Sequence, residues 1–270
     1  MYATNFEYAD EKLSDYGMII CKFDGASGFE TVSSGSDITF NQIALNKGNR
    51  FFIGSSTYES AITTTIQICK NPCIVDSQDE MVISTAELSA IQRWLCRKNQ
   101  YNKFKIYQED YEHIYWNATF SAKQIELNGK VMGMELTLYT DAPFAYMDEL
   151  SIEEDCSENL TFDIYDASDE EGYIYLDMKI TIGQSGDFTL KNNLEDGRYL
   201  SIKNCTKGEI ITINGKSHII SSTSHVDLAN DFNYCYPKII NSYADNKNTF
   251  TSNIPCKITL SYSPIRKVGI

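Results

Sequence analysis

The chain has 270 residues, 42% of them hydrophobic and 22% charged, with a formal charge of −14. Its length exceeds the usual single domain and makes two domains of roughly 100 to 150 residues the natural expectation, while the composition argues against long disorder. The acidic balance disfavours sequence-specific nucleic-acid binding, which relies on clustered Lys and Arg displacing phosphate counterions. With no basic patch leading into an apolar run at Met1–Glu7, and no apolar run of about 18 residues anywhere, neither secretion through a signal peptide nor membrane insertion is expected.

Eighteen Tyr and thirteen Phe against two Trp suit pleated, half-buried strands better than helices. From the N-terminus, short strands are expected at Met18–Phe23, Asp37–Asn41, Arg50–Ile53 and Ile62–Lys70. In the last of these Ile62, Thr64, Ile66 and Ile68 share one face, a period of two that marks a half-buried strand. One helix is predicted over about 85–98: Ser84 with Glu87 forms a capping box, Leu88, Ile91 and Leu95 fall on one face, and Arg93, Arg97 and Lys98 meet the negative C-terminal end. Trp94 lies beside that face as a core anchor. A long hairpin follows, with Tyr115–Leu127 turning at Asn128-Gly129 into Val131–Tyr139. Pro143 ends it.

Between Asp148 and Glu171 stand eleven Asp or Glu and no Lys or Arg, which reads as a solvated linker and edge, and as the domain boundary. Further strands are expected at Gly172–Ile182, Asp187–Leu190, Tyr199–Lys203, Glu209–Ile213, His218–Ser221 and Lys257–Tyr262, with a hairpin turn at Asn214-Gly215 and another turn at Glu195-Asp196-Gly197. This pattern is that of a β-sandwich. The fold class is therefore mainly β: an N-terminal β-rich domain, residues 1–145, with one α-helix, and a C-terminal β-sandwich, residues 146–270.

Chemistry is thin in the sequence. Cys21, Cys69, Cys73, Cys96, Cys156, Cys205, Cys235 and Cys256 include no C-x-x-C pair and read as small hydrophobes in a reducing compartment. His113, His218 and His225 are too scattered to anchor a metal or catalytic site and are given structural or incidental roles. No H-E-x-x-H, G-x-S-x-G, P-loop or G-x-G-x-x-G motif occurs. With 37 acidic residues, carboxylate pairs of the glycosidase kind arise by chance. The rival reading is a sugar-binding sandwich using Tyr173, Tyr175, Arg198, Tyr199, Tyr234 and Tyr236, although strand tyrosines more often pack across strands. No catalytic, cofactor or metal residue is assigned, and no cofactor is expected.

Three stretches taken in order resemble one family. They are Asn5-Phe6-Glu7-Tyr8 with Leu13-Ser14-Asp15-Tyr16-Gly17 and Phe23-Asp24-Gly25; the hairpin close Met134-Glu135-Leu136-Thr137-Leu138-Tyr139-Thr140-Asp141-Ala142-Pro143-Phe144; and the end Pro255–Arg266. Together they resemble the distal tail (Dit) proteins at the tip of long, non-contractile phage tails. The resemblance implies a structural, non-enzymatic virion protein, assembled in the host cytoplasm, whose N-terminal belt domain closes into a homo-hexamer ring and whose C-terminal domain is galectin-like. It implies the tail-tube protein and the tail-associated hub (Tal-like) protein as partners, with receptor-binding or baseplate proteins beyond them. Some family members carry an inserted carbohydrate-binding module, and the connections here are too short to hold one. The residues of the ring interface are not legible at this level.

Overall fold

The computed structural model describes residues 3–23, 35–44, 51–97, 99–243 and 246–270. Asp24, Gly25, Arg50 and Lys98, which carry parts of the expectations above, lie outside them. The chain divides into two compact units, Met1–Met147 with Arg266–Ile270, and Asp148–Ile265. The expected split at 145/146 assigns the last residues to the second half, whereas Ile270 is buried in the first unit's core and Val268 packs against it.

The first unit contains β1 (Phe6–Tyr8), β2 (Glu11–Lys12), β3 (Met18–Cys21), β4 (Ile38–Ala44), β5 (Phe51–Tyr58), β6 (Thr63–Lys70), α1 (Thr85–Leu95), β7 (Asn102–Ile106), β8 (Ile114–Leu127), β9 (Lys130–Thr140) and β10 (Ala145–Met147). An antiparallel sheet runs β2-β1-β7-β8-β9-β6-β3, with β10 beside β8. In β6 Ile66 and Ile68 are buried as the period of two requires, opposite Leu136 and Met134 of β9. The β8–β9 turn is the two-residue type that Asn-Gly favours: Asn128 and Gly129 have φ of 52° and 77°, and Leu127 faces Lys130.

Helix α1 begins where its cap predicts. Ser84 Oγ accepts from the Glu87 N–H at 3.3 Å, and Glu87 Oε2 accepts from the Ser84 N–H at 2.7 Å. Burial pushes the Glu87 carboxyl up, but Lys70, 2.8 Å away, and the Ser84 donors outweigh it and hold it below the ordinary range. A depressed carboxylate stabilises fully above its unfolded value of about 4.3, and that support is lost as pH falls through the lower folded value. The helix ends at Leu95, short of the expected 98, because Cys96 leaves helical dihedrals and the Arg97 side chain folds back to donate to Trp94 O at 3.0 Å. Leu88, Ile91, Trp94 and Leu95 are all buried. Trp94 joins the helix to the sheet: Nε1 donates to Tyr8 O at 2.8 Å, and its ring stacks on Tyr16 at 4.5 Å and on Phe6 at 5.7 Å.

The second unit contains β11 (Leu150–Asp155), β12 (Thr161–Tyr165), β13 (Gly172–Tyr175), β14 (Asp177–Ile182), β15 (Gly186–Asn192), β16 (Tyr199–Cys205), β17 (Ile210–Asn214), β18 (Ile219–Ser222), the one-turn α2 (Leu228–Asp231), β19 (Lys238–Asn241), β20 (Lys247–Ser252) and β21 (Cys256–Tyr262). A five-stranded sheet, β11-β21-β14-β17-β18, and a four-stranded sheet, β12-β20-β15-β16, send alternate residues into one core. Met178, Ile180, Ile211, Ile213 and Leu260 come from the first, Phe162, Phe188, Leu200, Ile202 and Phe250 from the second. The acidic stretch is in part an edge, as read: Glu153, Glu154 and Asp155 lie on β11 and Asp163 on β12, each the outer strand of its sheet, and the other seven carboxylates lie between strands. Charge there suits an edge that must not recruit another strand.

Two local readings are corrected. Gly172–Ile182 is not one strand, because Leu176 donates its N–H to Pro237 O and the chain passes from the β13–β19 pair to the five-stranded sheet. Asn214-Gly215 is not a two-residue turn, since Asn214 pairs with Ile219 across four intervening residues and the positive φ belongs to His218 at 53°. Gly215 is needed for a different reason: a Cβ there would lie 2.7 Å from the carbonyl oxygens of both Tyr175 and Leu176. Gly215→Ala is accordingly expected to cost about 1 to 3 kcal/mol, read as a lower urea midpoint. An unchanged midpoint would show that the β17–β18 loop moves freely.

Joining the β13–β19 pair to the four-stranded sheet falls to two buried amides. Asn248 Nδ2 donates to Ile240 O at 2.9 Å while its Oδ1 accepts from Ile240 N–H at 2.9 Å, and Asn192 Nδ2 reaches both Asn248 Oδ1 and Lys238 O at 2.8 Å. The side chain of Asn248 thereby stands in for a ladder rung between β20 and β19.

Candidate functional site

The first unit offers a surface for association. β4 and β5 pair only with each other among the described residues, with a bulge between Asn41 and Gln42. A two-stranded ribbon is at best marginally stable by itself and leaves two unpaired edges. Ile38 and Phe40, two residues apart and hence on one face of β4, are 44% and 53% exposed. An uncovered apolar pair on an open-edged ribbon is the geometry of strand addition by a neighbour.

In the second unit, most of the tyrosines proposed as a sugar platform do come together, but against each other. Tyr173 meets Tyr175 edge-on at 5.5 Å, Tyr175 meets His218 edge-on at 4.4 Å, and His218 stacks on Tyr236 at 4.6 Å. Tyr234 leans on Phe232 at 5.1 Å, which also meets Tyr236. Lys238 Nζ stands 4.4 Å over the Tyr173 ring, and Arg198 reaches Cys235 Sγ at 3.9 Å. Tyr199 instead carries Lys191 over its ring at 5.0 Å. The rings hold one another in place, while Tyr173, Tyr199 and Tyr234 stay 59%, 39% and 63% exposed.

The three histidines fare differently. His113 is exposed, next to a turn of 3-10 helix at Glu109–Tyr111, and His218 sits in the loop before β18, not on the strand. His225 is buried between two carboxylates: Nδ1 lies 2.8 Å from Glu209 Oε1 and Nε2 lies 3.1 Å from Asp231 Oδ2. Burial opposes charge on the ring, but Asp231 and Glu209 outweigh it and hold His225 above the ordinary histidine range. Glu209, although desolvated, is held below the usual carboxylate range by the Ser222 hydroxyl at 2.6 Å, the Thr206 N–H at 2.9 Å and His225. Asn204 and His225 hold Asp231 low.

Cys205 completes this group, its thiol within 4.8 Å of the Glu209 and His225 ligand atoms. Burial pushes that thiol up to about 12. The reading of all cysteines as buried hydrophobes holds for Cys69, Cys156, Cys205, Cys235 and Cys256, whereas Cys73 is exposed and Cys21 and Cys96 are half-buried. Nothing in the spacing of Cys205, Glu209, His225 and Asp231 marks them as partners, because they come from the end of β16, the turn just before β17, a loop and α2.

Comparison with known proteins places this geometry. A family described as the phage tail protein N-terminal domain matches residues 1–142, and one described as the phage tail C-terminal domain matches residues 144–262. No curated protein matches the sequence. Among solved structures, the chain is similar to the SPP1 Dit (gp 19.1) protein, described as a paradigm of the hub adsorption apparatus in phages infecting Gram-positive hosts, at a TM-score of 0.67 and 10% identity over 97% of this chain and 99% of that one. It is also similar to a chain of the phage P2 baseplate in its activated conformation with Ca, at a TM-score of 0.53 and 10% identity over 97% and 98%. With the N-terminal domain family alone spanning more than half of its length and a distal tail fold along nearly all of it, the chain belongs to the phage tail proteins.

Proposed function

We propose that the chain is a non-enzymatic distal tail protein of the virion's tail tip, in which residues 1–145 close a hexameric ring between the tail tube and the tail-associated hub and residues 146–270 form the outer domain. The observation that carries this reading is the β4–β5 ribbon, whose edges pair with no other strand among the described residues and whose Ile38 and Phe40 are uncovered. A ring of identical subunits is built from heterologous contacts that close, each copy supplying an edge and receiving one. The fold shared with the SPP1 Dit protein, over both chains almost entirely, supports the assignment.

Light scattering on the purified chain is the test. The expected mass is six times that of the subunit, and Ile38→Asp with Phe40→Asp is expected to weaken assembly at least about 100-fold by placing unpaired charges in the contact. Because both side chains are exposed in the subunit, its circular dichroism should not change. A wild-type monomer at every concentration, or a ring indifferent to both aspartates, would count against the reading.

A further inference from the structure

We propose that Cys205, Glu209 and His225 bind one divalent cation of the zinc class, with Asp231 as the residue that positions the histidine. The ligand atoms of the three lie within 4.8 Å of one another, and the side chains of Glu209 and His225 are 0% and 3% exposed. Thiolate, imidazole and carboxylate together form a donor set that tetrahedral zinc accepts, with a fourth position left to water.

The outer layer of such a site is already built. Asp231 Oδ2 faces Nε2 at 3.1 Å, so that with Nδ1 turned to a cation the three groups form the carboxylate–imidazole–metal line common at metal centres. Asp231 is itself held by Asn204 Nδ2 at 3.1 and 3.2 Å. Glu209 is fixed by Ser222 and by Thr206. Cys205 belongs to the apolar core of the sandwich, and its thiol lies where that core meets the Glu209 and His225 side chains.

Charge balances once the Nδ1–Glu209 hydrogen bond opens to admit the cation. On binding, Nδ1 gives up its proton to solvent and its lone pair to the cation, and Cys205 Sγ–H gives up its proton and ligates as thiolate. Two protons leave as a doubly charged ion enters, so the net charge of the buried group is unchanged. The cation would pin the segment from Ser222 through α2, in which Val226 is fully exposed, to β16 and β17.

The test uses the full chain, stripped with chelator, returned to excess zinc and passed over a desalting column before metal analysis. One zinc per chain is expected for the wild type, none for Cys205→Ala, and a 10- to 100-fold loss of affinity for Asp231→Asn. Because the seven other cysteines could hold zinc adventitiously and Cys205→Ala could misfold, X-ray absorption on the zinc-loaded wild type is the second measurement. One sulfur with nitrogen or oxygen in the remaining positions supports the site. No retained zinc, a shell of two or more sulfurs, or full retention by a folded Cys205→Ala protein overturns it.

Discussion

Trp94→Ala is expected to destabilise the first unit by about 4 kcal/mol or more, from loss of a large buried ring together with its hydrogen bond. The indole touches three neighbours, stacking on Tyr16 and Phe6 and donating to Tyr8 O, and so carries the attachment of α1 to β1. Domains hold only about 5–15 kcal/mol in total, so the variant should unfold well below the wild-type temperature. Both tryptophans lie in the first unit, which leaves Trp116 as a fluorescent reporter of that unit alone. A variant that keeps the wild-type midpoint by Trp116 fluorescence would mean that the helix is held by Leu88, Ile91 and Leu95 without its indole.

The second unit has its own weak point. Asn248→Leu keeps the volume but removes both halves of the bridge to Ile240, stranding a half-buried N–H and C=O and taking from the Asn192 amide one of its two acceptors. Each stranded group costs about 1 to 3 kcal/mol, so a total of about 3 to 5 kcal/mol is expected after partial relaxation. The loss should be visible by far-ultraviolet circular dichroism, while Trp116 fluorescence continues to report an unaltered first unit. A loss below about 1 kcal/mol would show that β19 finds its partners elsewhere.

What could be read from the sequence follows from where local chemistry decides. The Ser84–Glu87 box, the period of two at Ile62–Lys70 and the Asn128-Gly129 turn each act within a few residues, and the structure has all three. β1 and β7 escaped because Phe6-Glu7-Tyr8 and Asn102–Ile106 are too short to show a period, and they exist by pairing with each other and with β2 and β8. β11 and β12 were hidden by their acidity, which is the property of an edge rather than of a linker. Gly215 obeys packing against Tyr175 and Leu176, a constraint invisible in its neighbours. The Cys205, Glu209, His225 and Asp231 group was illegible for the same reason: only the closing of the sandwich brings the residues together.

Arg266–Ile270 belong to the first unit, with Ile270 in its core, although the whole of the second is written between them and Met147. On the ribosome, the nascent chain therefore delivers the sandwich before the last contacts of the first unit exist. Translation itself thus withholds a finished subunit, so that a stalled or prematurely released chain would enter the particle's construction with its first core still open.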